Sequence, residues 1–497
     1  MSGLKNGLLI ITCLSKLPAS LSVASKRIVN NLYIHYHPNE PLKYDKFSKT
    51  LLSIYTSSIE ICGNIDVRVL VSTIKNKSNI IARLDKMDLI LVDQNEYKPD
   101  KVLSSLRLTS DTIESLLDDS NPCYNSVVLG GTFDRLHVGH KILLSEAALR
   151  AKKRLVVGVT DVNMITSKKL PELVLPLQQR MDDVRAFLND IDHTLTYEIV
   201  PIQDPFGPTA TEPDLDLIVV SSETMKGGEK VNEIRRGKNF RELEIYSIPL
   251  VEVKQVLKEK EQKVSSSNQR MDILGSQFKE PFPRSHLPKR PYIIGLIGGI
   301  ASGKSKMTER FQKMGAGVID CDKLAHSLYE PGEECYQSMI DAFGSEIVDS
   351  VNRIDRKVLG AIVFSNKEKL QLLNGIVWPN LLKKAKQRVK ELHEKEGKEI
   401  IILEAAVLLQ AGWETECHEI WSCIIPSEVA TKRIMERNNL SEEEAKARIA
   451  SQMRNFQVVD HSNVVFSSLW SYEYSQEQAE KAWNELLRRL EISPSKF

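Results

Sequence analysis

Two short stretches of the chain carry residue types that handle phosphate. In the first, Val127-Val128-Leu129-Gly130-Gly131-Thr132-Phe133-Asp134-Arg135-Leu136-His137-Val138-Gly139-His140, an apolar run breaks at two glycines and closes on two histidines flanking a third. An apolar run stopped by Gly-Gly reads as a buried strand whose end needs close backbone approach, and Lys141 to Leu149 then shows helical spacing. The histidines fall on a strand-to-helix turn, where a helix N-terminus offers N–H groups and positive potential to an anion, and Gly139 leaves room for it. In the second stretch, Gly298-Gly299-Ile300-Ala301-Ser302-Gly303-Lys304-Ser305 fits G-x-x-x-x-G-K-S, after the apolar Tyr292 to Ile297 and before a helix expected from Lys306 to about Met314. Its glycines let the loop wrap a polyphosphate, Lys304 reaches the β- and γ-phosphates, and Ser305 offers its hydroxyl to magnesium. That loop commits its domain to a nucleoside triphosphate.

A third stretch supplies carboxylates. Gly317-Val318-Ile319 reads as a short strand ending in Asp320-Cys321-Asp322, and two acids two apart on extended chain point the same way. One can take a proton from an attacking hydroxyl while the other helps hold magnesium. The alternative is a helix N-cap with a solvated neighbour.

The elements that must position these residues follow from composition and pattern. A length of 497 residues predicts two to four domains. Lys and Arg number 67 against 66 Asp and Glu, a net charge of +1, which lacks the basic excess of a nonspecific nucleic-acid binder. The seven cysteines, Cys13, Cys62, Cys123, Cys321, Cys335, Cys417 and Cys423, are an odd and scattered set, against a disulfide framework or a structural zinc site and in keeping with a reducing compartment. No apolar run is long enough to span a membrane. Met1 to Asn39 holds Lys5, Lys16, Lys26 and Arg27 and no acid before Glu40. It reads as the first strand and helix of a folded domain, with a transit peptide as the other reading, which leaves cytoplasmic placement or a mitochondrial or peripheral-membrane association through the N-terminus. Strands are expected at Gly7 to Cys13, Leu32 to Tyr36, Val67 to Val71 and Leu89 to Val92, so residues 1–120 form an α/β domain without an identifiable site.

Leu106 to Asp119 reads as a polar helix and Asn121-Pro122 as a boundary. Strands then alternate with helices over residues 121–276, at Val127 to Leu129, Leu155 to Val159, Tyr197 to Val200, Leu217 to Val220 and Glu244 to Val251, which predicts a parallel, doubly wound sheet. Gln277 to Arg290, with Pro281, Pro283 and Pro288, reads as a linker. Residues 291–497 form the second nucleotide domain. No internal repeat is evident. The fold class is α/β throughout, a Rossmann-like domain followed by a P-loop domain, with the additional N-terminal α/β domain; the resemblances that follow imply a nucleotidyltransferase for the first and a kinase for the second.

The His137-x-Gly139-His140 turn resembles the signature of the nucleotidyltransferase superfamily, and Gly-Gly-Thr-Phe-Asp narrows the resemblance to phosphopantetheine adenylyltransferases. That resemblance implies that Gly130, Gly131 and His137 lie against ATP, that Thr132 positions the attacking phosphate of 4'-phosphopantetheine, and that His140 stabilises charge on the ATP phosphates. It further implies that Lys168, in Ser167-Lys168-Lys169, clamps the substrate phosphate. Lys263 to Arg270 looks like the family's late serine segment, so Ser265, Ser266, Ser267 and Arg270 would hold ATP; read alone it is a Ser-rich linker. Val219 to Gly228 and Asp204-Pro205-Phe206-Gly207-Pro208 depart from the bacterial pattern and resemble the eukaryotic and archaeal form.

The P-loop together with the Asp320-x-Asp322 strand end resembles dephospho-CoA kinase. The resemblance implies that Asp322 is the general base on the ribose 3'-hydroxyl, with Asp320 beside it at the substrate and, with Ser305, at Mg2+. Arg433 and Arg437, at i and i+4, would belong to a lid closing over ATP, with Arg454 as a further candidate. Glu404-Ala405-Ala406-Val407-Leu408-Leu409 occupies the place of the family's P-L-L segment, and Trp378 before Pro379 stands where bacterial kinases have histidine. Together the resemblances cover about three quarters of the chain and point to the bifunctional coenzyme A synthase family, which acts on ATP, 4'-phosphopantetheine and dephospho-CoA. A nicotinamide mononucleotide adenylyltransferase fused to a nucleoside kinase would share the histidine turn and the P-loop; the Asp320-x-Asp322 end and Ser265 to Arg270 favour the first reading. A class I aminoacyl-tRNA synthetase is disfavoured by the missing lysine-rich loop.

Overall fold

The computed structural model describes residues 3–38, 40–75, 78–98, 101–102, 117, 123–251, 259–364 and 366–493. The chain divides into two compact units, Met1–Arg270 and Met271–Phe497.

Unit 1 holds two five-stranded sheets. The first contains β1 (Leu4–Ile11), β2 (Ile28–Tyr36), β3 (Asp66–Val69), β4 (Leu89–Val92) and β5 (Asn95–Glu96), in the order β3-β2-β1-β4-β5. All pairings are parallel except that of the short edge strand β5 with β4. The second contains β6 (Tyr124–Gly131), β7 (Ala151–Thr160), β8 (Thr196–Ile202), β9 (Leu217–Ser221) and β10 (Glu244–Ile248), all parallel, in the order β10-β9-β6-β7-β8. Counted from its own first strand, each sheet runs 3-2-1-4-5. The unit therefore repeats a strand order that its sequence does not display, with the sense of the fifth strand reversed between the two sheets. In such a sheet the chain diverges on both sides of the first strand, and ligands bind at the carboxyl ends beside it.

The helices α1 (Leu17–Ser25), α2 (Tyr44–Cys62), α3 (Val138–Arg150) and α4 (Leu177–Ile191) complete the layers, and α5 (Ser266–Ile273) begins at the end of the unit. One hydrophobic core runs through both sheets, with Leu9, Phe47, Leu51 and Ile54 in the same cluster as Leu144, Ala148, Val184 and Leu188. Val127, Val128 and Leu129 are buried on both faces of β6, as the unbroken apolar run requires of a central parallel strand. The acid-poor N-terminus takes the folded form, since β1, α1 and β2 bury Leu9, Leu21 and Ile34 completely. The helix read over Leu106 to Asp119 lies outside the described residues except at Leu117, which bridges to Leu42.

Unit 2 is built on β11 (Tyr292–Gly298), β12 (Gly317–Asp320), β13 (Ile400–Glu404), β14 (Glu419–Ile424) and β15 (Val464–Ser467), parallel in the order β12-β13-β11-β14-β15. Its helices include α6 (Lys304–Lys313), α7 (Cys321–Ser327), α8 (Lys367–Glu396), α9 (Ser427–Asn438) and α10 (Tyr472–Arg489). Phe311 of α6 anchors the core, with ring centroids 5.1 Å from Trp421, 5.6 Å from Phe466 and 6.1 Å from Trp483. The proline-rich Gln277 to Arg290 is fastened to this unit: Phe278 N donates to Asn463 O at 3.0 Å, and His286 bonds to Thr415 O at 2.8 Å. All five tryptophans lie in unit 2. Among the described residues no helix is long and apolar enough to cross a membrane.

Candidate active sites

In unit 1 the turn between β6 and α3 is held by a buried charge. The Asp134 side chain has no exposure; its Oδ2 accepts from Arg270 Nη1 at 2.6 Å, and its Oδ1 accepts from Arg135 Nη1 and Leu175 N at 3.0 Å. Arg270 Nε in turn donates to Lys169 O at 2.8 Å, and Ser266 Oγ donates to Asp134 O at 2.9 Å. Three separate segments, the turn itself, the loop at Leu175 and α5, thus meet at one carboxylate. The network secures a strained backbone, because Phe133 and Arg135 adopt φ of 50° and 49°, a region that non-glycine residues rarely enter. Gly131 leaves room beneath them: a Cβ there would stand 3.0 Å from the Phe133 ring, which would have to shift.

On this frame the two imidazoles stack, with centroids 3.8 Å apart and planes inclined by 18°. His137 caps α3, its Nδ1 accepting from His140 N at 3.4 Å, which places the His137 proton on Nε2. Burial pushes His137 down to about 4, against the pull of Asp134 and with Lys141 and Arg270 adding to the fall. Burial also holds His140 well below its ordinary value, helped by His137 and Lys168. Both rings are neutral at pH 7 and would draw protons only as an anion arrives. His140 Nδ1 is buried without a hydrogen-bond partner, an orphan that an incoming phosphate oxygen would satisfy.

Thr132 stands at the mouth of the turn. Its carbonyl accepts from Arg180 Nη1 at 2.7 Å, and its hydroxyl oxygen accepts from Thr160 Oγ1 at 3.1 Å, which leaves the Thr132 hydroxyl proton to donate elsewhere. Ser265 to Ser267 open α5, where Ser265 Oγ accepts from Asn268 N at 3.2 Å. The Ser266 bond to Asp134 therefore brings a second helix N-terminus to the histidine turn. The structure unites Gly130, Gly131, Thr132, His137, His140, Lys168 and the three serines around one turn. Arg270 is 1% exposed and ties Asp134 to Lys169, so its guanidinium shapes the turn from within.

In unit 2, β11 hands over to α6 through the glycine loop, and α6 begins at Lys304, two residues before the expected start, because Gly303 caps it with φ 94°. A Cβ at Gly298, whose φ is 147°, would stand 2.3 Å from Cys423 O, and one at Gly303 would stand 2.7 Å from Ser468 Oγ. Lys304 Nζ lies along the loop, 2.8 Å from Gly298 O. Arg433 braces the loop from α9, donating to Ala301 O at 3.1 Å and to Ser468 O at 2.6 Å. Arg437 is exposed and donates to Asn438 Oδ1, and Arg454 caps a short helix at Asn455–Asp460. Of the arginines read as a lid, Arg433 alone touches the loop among the bonds described.

Glu404 entered the sequence reading only as the head of the segment in the place of P-L-L, with no role of its own, yet it organises this site. Buried at the end of β13, it accepts from Ser305 Oγ at 3.0 Å through Oε1 and from Thr308 Oγ1 at 2.8 Å through Oε2. Register places it directly opposite Asp320 on β12. The strand does not continue to Asp322 as expected: Asp320 Oδ1 accepts from Lys323 N at 3.0 Å and caps α7, so the chain turns helical at Cys321. Asp320 and Asp322 are coupled electrostatically rather than aligned along one strand face. Loss of solvent raises the Asp322 pKa, Lys304 opposes the rise and Asp320 adds to it. Gln452 was also missed; its Oε1 accepts from the loop N–H of Ile300 at 2.7 Å, and no local pattern announces it.

Two regions of the chain match known protein families. Residues 292–469 match the dephospho-CoA kinase family, and residues 128–272 match the cytidylyltransferase-like family. The dephospho-CoA kinase of Carboxydothermus hydrogenoformans is 42% identical over 186 residues, 37% of this chain and 90% of its own. The chain belongs to the dephospho-CoA kinase family. That of Moorella thermoacetica is 32% identical over 203 residues, covering 41% of this chain and 96% of its own. A solved dephospho-CoA kinase from Campylobacter jejuni is 28% identical, covers 40% of this chain and 98% of its own, and gives a TM-score of 0.32. With the cytidylyltransferase-like domain preceding its kinase domain, this member of the family has the architecture of a fused coenzyme A synthase.

Two outcomes follow from this geometry. Between about 4 and the ordinary 6.5 the unfolded chain holds the extra proton of His137, so its contribution to stability is full above pH 6.5 and is lost as pH falls toward 4. Once the intrinsic pH dependence of amide exchange is divided out, the protection of β6 and β7 should fall over that window, and His137→Gln should flatten the dependence. Gly298→Ala should destabilise unit 2 by at least ~1–3 kcal/mol, the scale of backbone strain, through its clash with Cys423 O. A lower urea midpoint by tryptophan fluorescence, with exchange in unit 1 unchanged, is the expected result.

Proposed function

We propose that unit 1 transfers the adenylyl group of ATP to 4'-phosphopantetheine, giving dephospho-CoA and pyrophosphate, and that unit 2 phosphorylates the ribose 3'-hydroxyl of that product, giving CoA and ADP. The observation that carries this reading is the coexistence, in one chain, of the stacked histidine turn and a dephospho-CoA kinase unit with its P-loop and Glu404 in place. The product of the first reaction is the acceptor of the second.

In the first step the phosphate of phosphopantetheine attacks the α-phosphorus of ATP and pyrophosphate leaves, so the protein need only position the reactants and answer charge. Thr132 and Lys168 hold the attacking phosphate. His137, His140 and the N–H groups opening α3 and α5 receive the ATP phosphates, with Ser265 to Ser267 beside them. In the second step Asp322 takes the proton of the 3'-hydroxyl as the γ-phosphate transfers, and Lys304 and the loop N–H groups hold the phosphates. Ser305, Glu404 and Asp320 present hard oxygen donors that fit Mg2+, which when bound neutralises charge on the polyphosphate. Glu404 stands beside Ser305 in the role that the sequence alone gave to Asp320.

The direct test incubates the purified protein with ATP, magnesium and 4'-phosphopantetheine, with a parallel sample started from dephospho-CoA, and reads products by mass spectrometry. CoA in both is the expected result; CoA from dephospho-CoA alone would overturn the assignment of unit 1. His140→Ala should abolish only the first step and Lys304→Ala only the second. Because the Asp322 pKa is raised, the acid limb of kcat/KM for the kinase step should lie above the ordinary aspartate value of about 4, and Asp322→Asn should remove that limb along with at least ~100-fold of the rate.

A further inference from the structure

The first sheet of unit 1 repeats the strand order of the second without repeating its site. Where β6 runs into glycines and the histidine turn, β1 runs into Thr12-Cys13-Leu14-Ser15-Lys16, with neither residue type. The carboxyl end of this sheet is closed from within. Asp93 accepts from Thr12 N at 3.0 Å, from Thr12 Oγ1 at 2.9 Å and from Lys16 Nζ at 2.8 Å. A carboxylate of the chain itself takes the N–H and the ammonium that a phosphate would need.

The opposite edge of the sheet engages the helix that carries the histidines. Lys141, the residue after His140, donates through Nζ to Asp66 Oδ1 and, at 3.1 Å, to Val67 O, and its side chain is 10% exposed. Asp66 is itself oriented: its Oδ2 accepts from Arg68 Nε at 3.0 Å and Nη2 at 2.6 Å, while Arg68 Nη1 reaches Asp190 of α4 at 2.5 Å. The far end of α3 is fastened by the same domain. Ser48 Oγ donates to Glu146 Oε2 at 2.9 Å, and Lys75 Nζ donates to Ala148 O at 2.5 Å and Ala151 O at 2.9 Å. Asp66, Arg68, Lys141 and the His137 ring border one cleft of about 570 Å³.

An ammonium in the first turn of a helix opposes the helix dipole, and a buried charge without a partner is strongly destabilising. Lys141 is tolerated where it stands because Asp66 faces it. We propose that Asp66 is a positioning residue for adenylyl transfer: by fixing Lys141 it sets the first turn of α3, and with it the two histidine rings, so that the N-terminal repeat acts as the mount of the active repeat. This rests on the adenylyl-transfer reading of unit 1. A displacement of about 1 Å at reacting groups can cost on the order of 100-fold in rate.

The test uses the full chain and assays the two steps separately. In Asp66→Asn the kcat of adenylyl transfer should fall about tenfold or more with KM for ATP within threefold, while the kinase step from dephospho-CoA stays within twofold. Asp66→Glu should recover most of the loss, and Asp66→Asn with Lys141→Met should recover part of it by removing the stranded charge. Hydrogen exchange of β6 and β7 reports whether the unit is still folded. Adenylyl transfer within twofold of wild type in a folded Asp66→Asn protein would overturn the proposal. So would a loss that tracks faster exchange and that neither second variant restores, since that marks a structural role alone. A wild-type chain that makes CoA from dephospho-CoA but none from 4'-phosphopantetheine would instead overturn the reading on which the proposal stands.

Discussion

A carboxylate taken out of water must be met by enough donors to hold its charge, and both sites are built around that constraint. In unit 1 Asp134 is neutralised by Arg270 and Arg135 and completed by a backbone N–H, and satisfying it draws the segments after β6 and β7 and the start of α5 to one point. The left-handed backbone at Phe133 and Arg135 persists because this convergence over-determines it. In unit 2 the described residues that bond to the Glu404 carboxylate are two hydroxyls, Ser305 and Thr308, on successive turns of α6. Charge-assisted bonds from two guanidinium groups make Asp134 a strut of the turn, whereas the hydroxyls that meet Glu404 fasten the end of β13 to the first turns of α6.

The two phosphate turns were legible in the sequence because close backbone approach admits few residues. Gly298 and Gly303 stand where a single added carbon would meet backbone or side chain, so the loop had to be written in glycine. The parallel sheets were legible for a similar reason: strands buried on both faces read as unbroken apolar runs, and β13 and β14 bury every residue. Where several structures satisfy the same local pattern, the sequence was less informative. Asp320-x-Asp322 reads as one strand face until the Asp320 carboxylate is seen capping α7, a choice between extended chain and helix that is settled by Lys323 N.

Residues acting across long sequence separations were the least visible. Arg270 was read as an ATP contact through the resemblance of Lys263 to Arg270 to a family segment, and only the fold shows that its partner, Asp134, lies 136 residues away. Glu404 carried a signal that went unused, an acid closing the wholly apolar Ile400-Ile401-Ile402-Leu403, a place where burial of charge requires a reason. Gln452 carried none. The topological repeat in unit 1 was hidden because strand order is fixed by crossover connections, which leave no trace in local composition.

The closure of the first sheet by Asp93 bears on how freely different parts of the N-terminal domain can drift under selection. Among the described residues, the side chains of Thr12, Lys16 and Asp93 at the carboxyl ends of β1 and β4 satisfy one another, so they can be exchanged as a set for a self-satisfying group of similar size. The edge at β3 has no such latitude, because Asp66 and Arg68 are matched to residues of the neighbouring sheet. The first sheet is thereby bound to its neighbour along one border, and substitutions tolerated beside β1 and β4 would not be tolerated at β3.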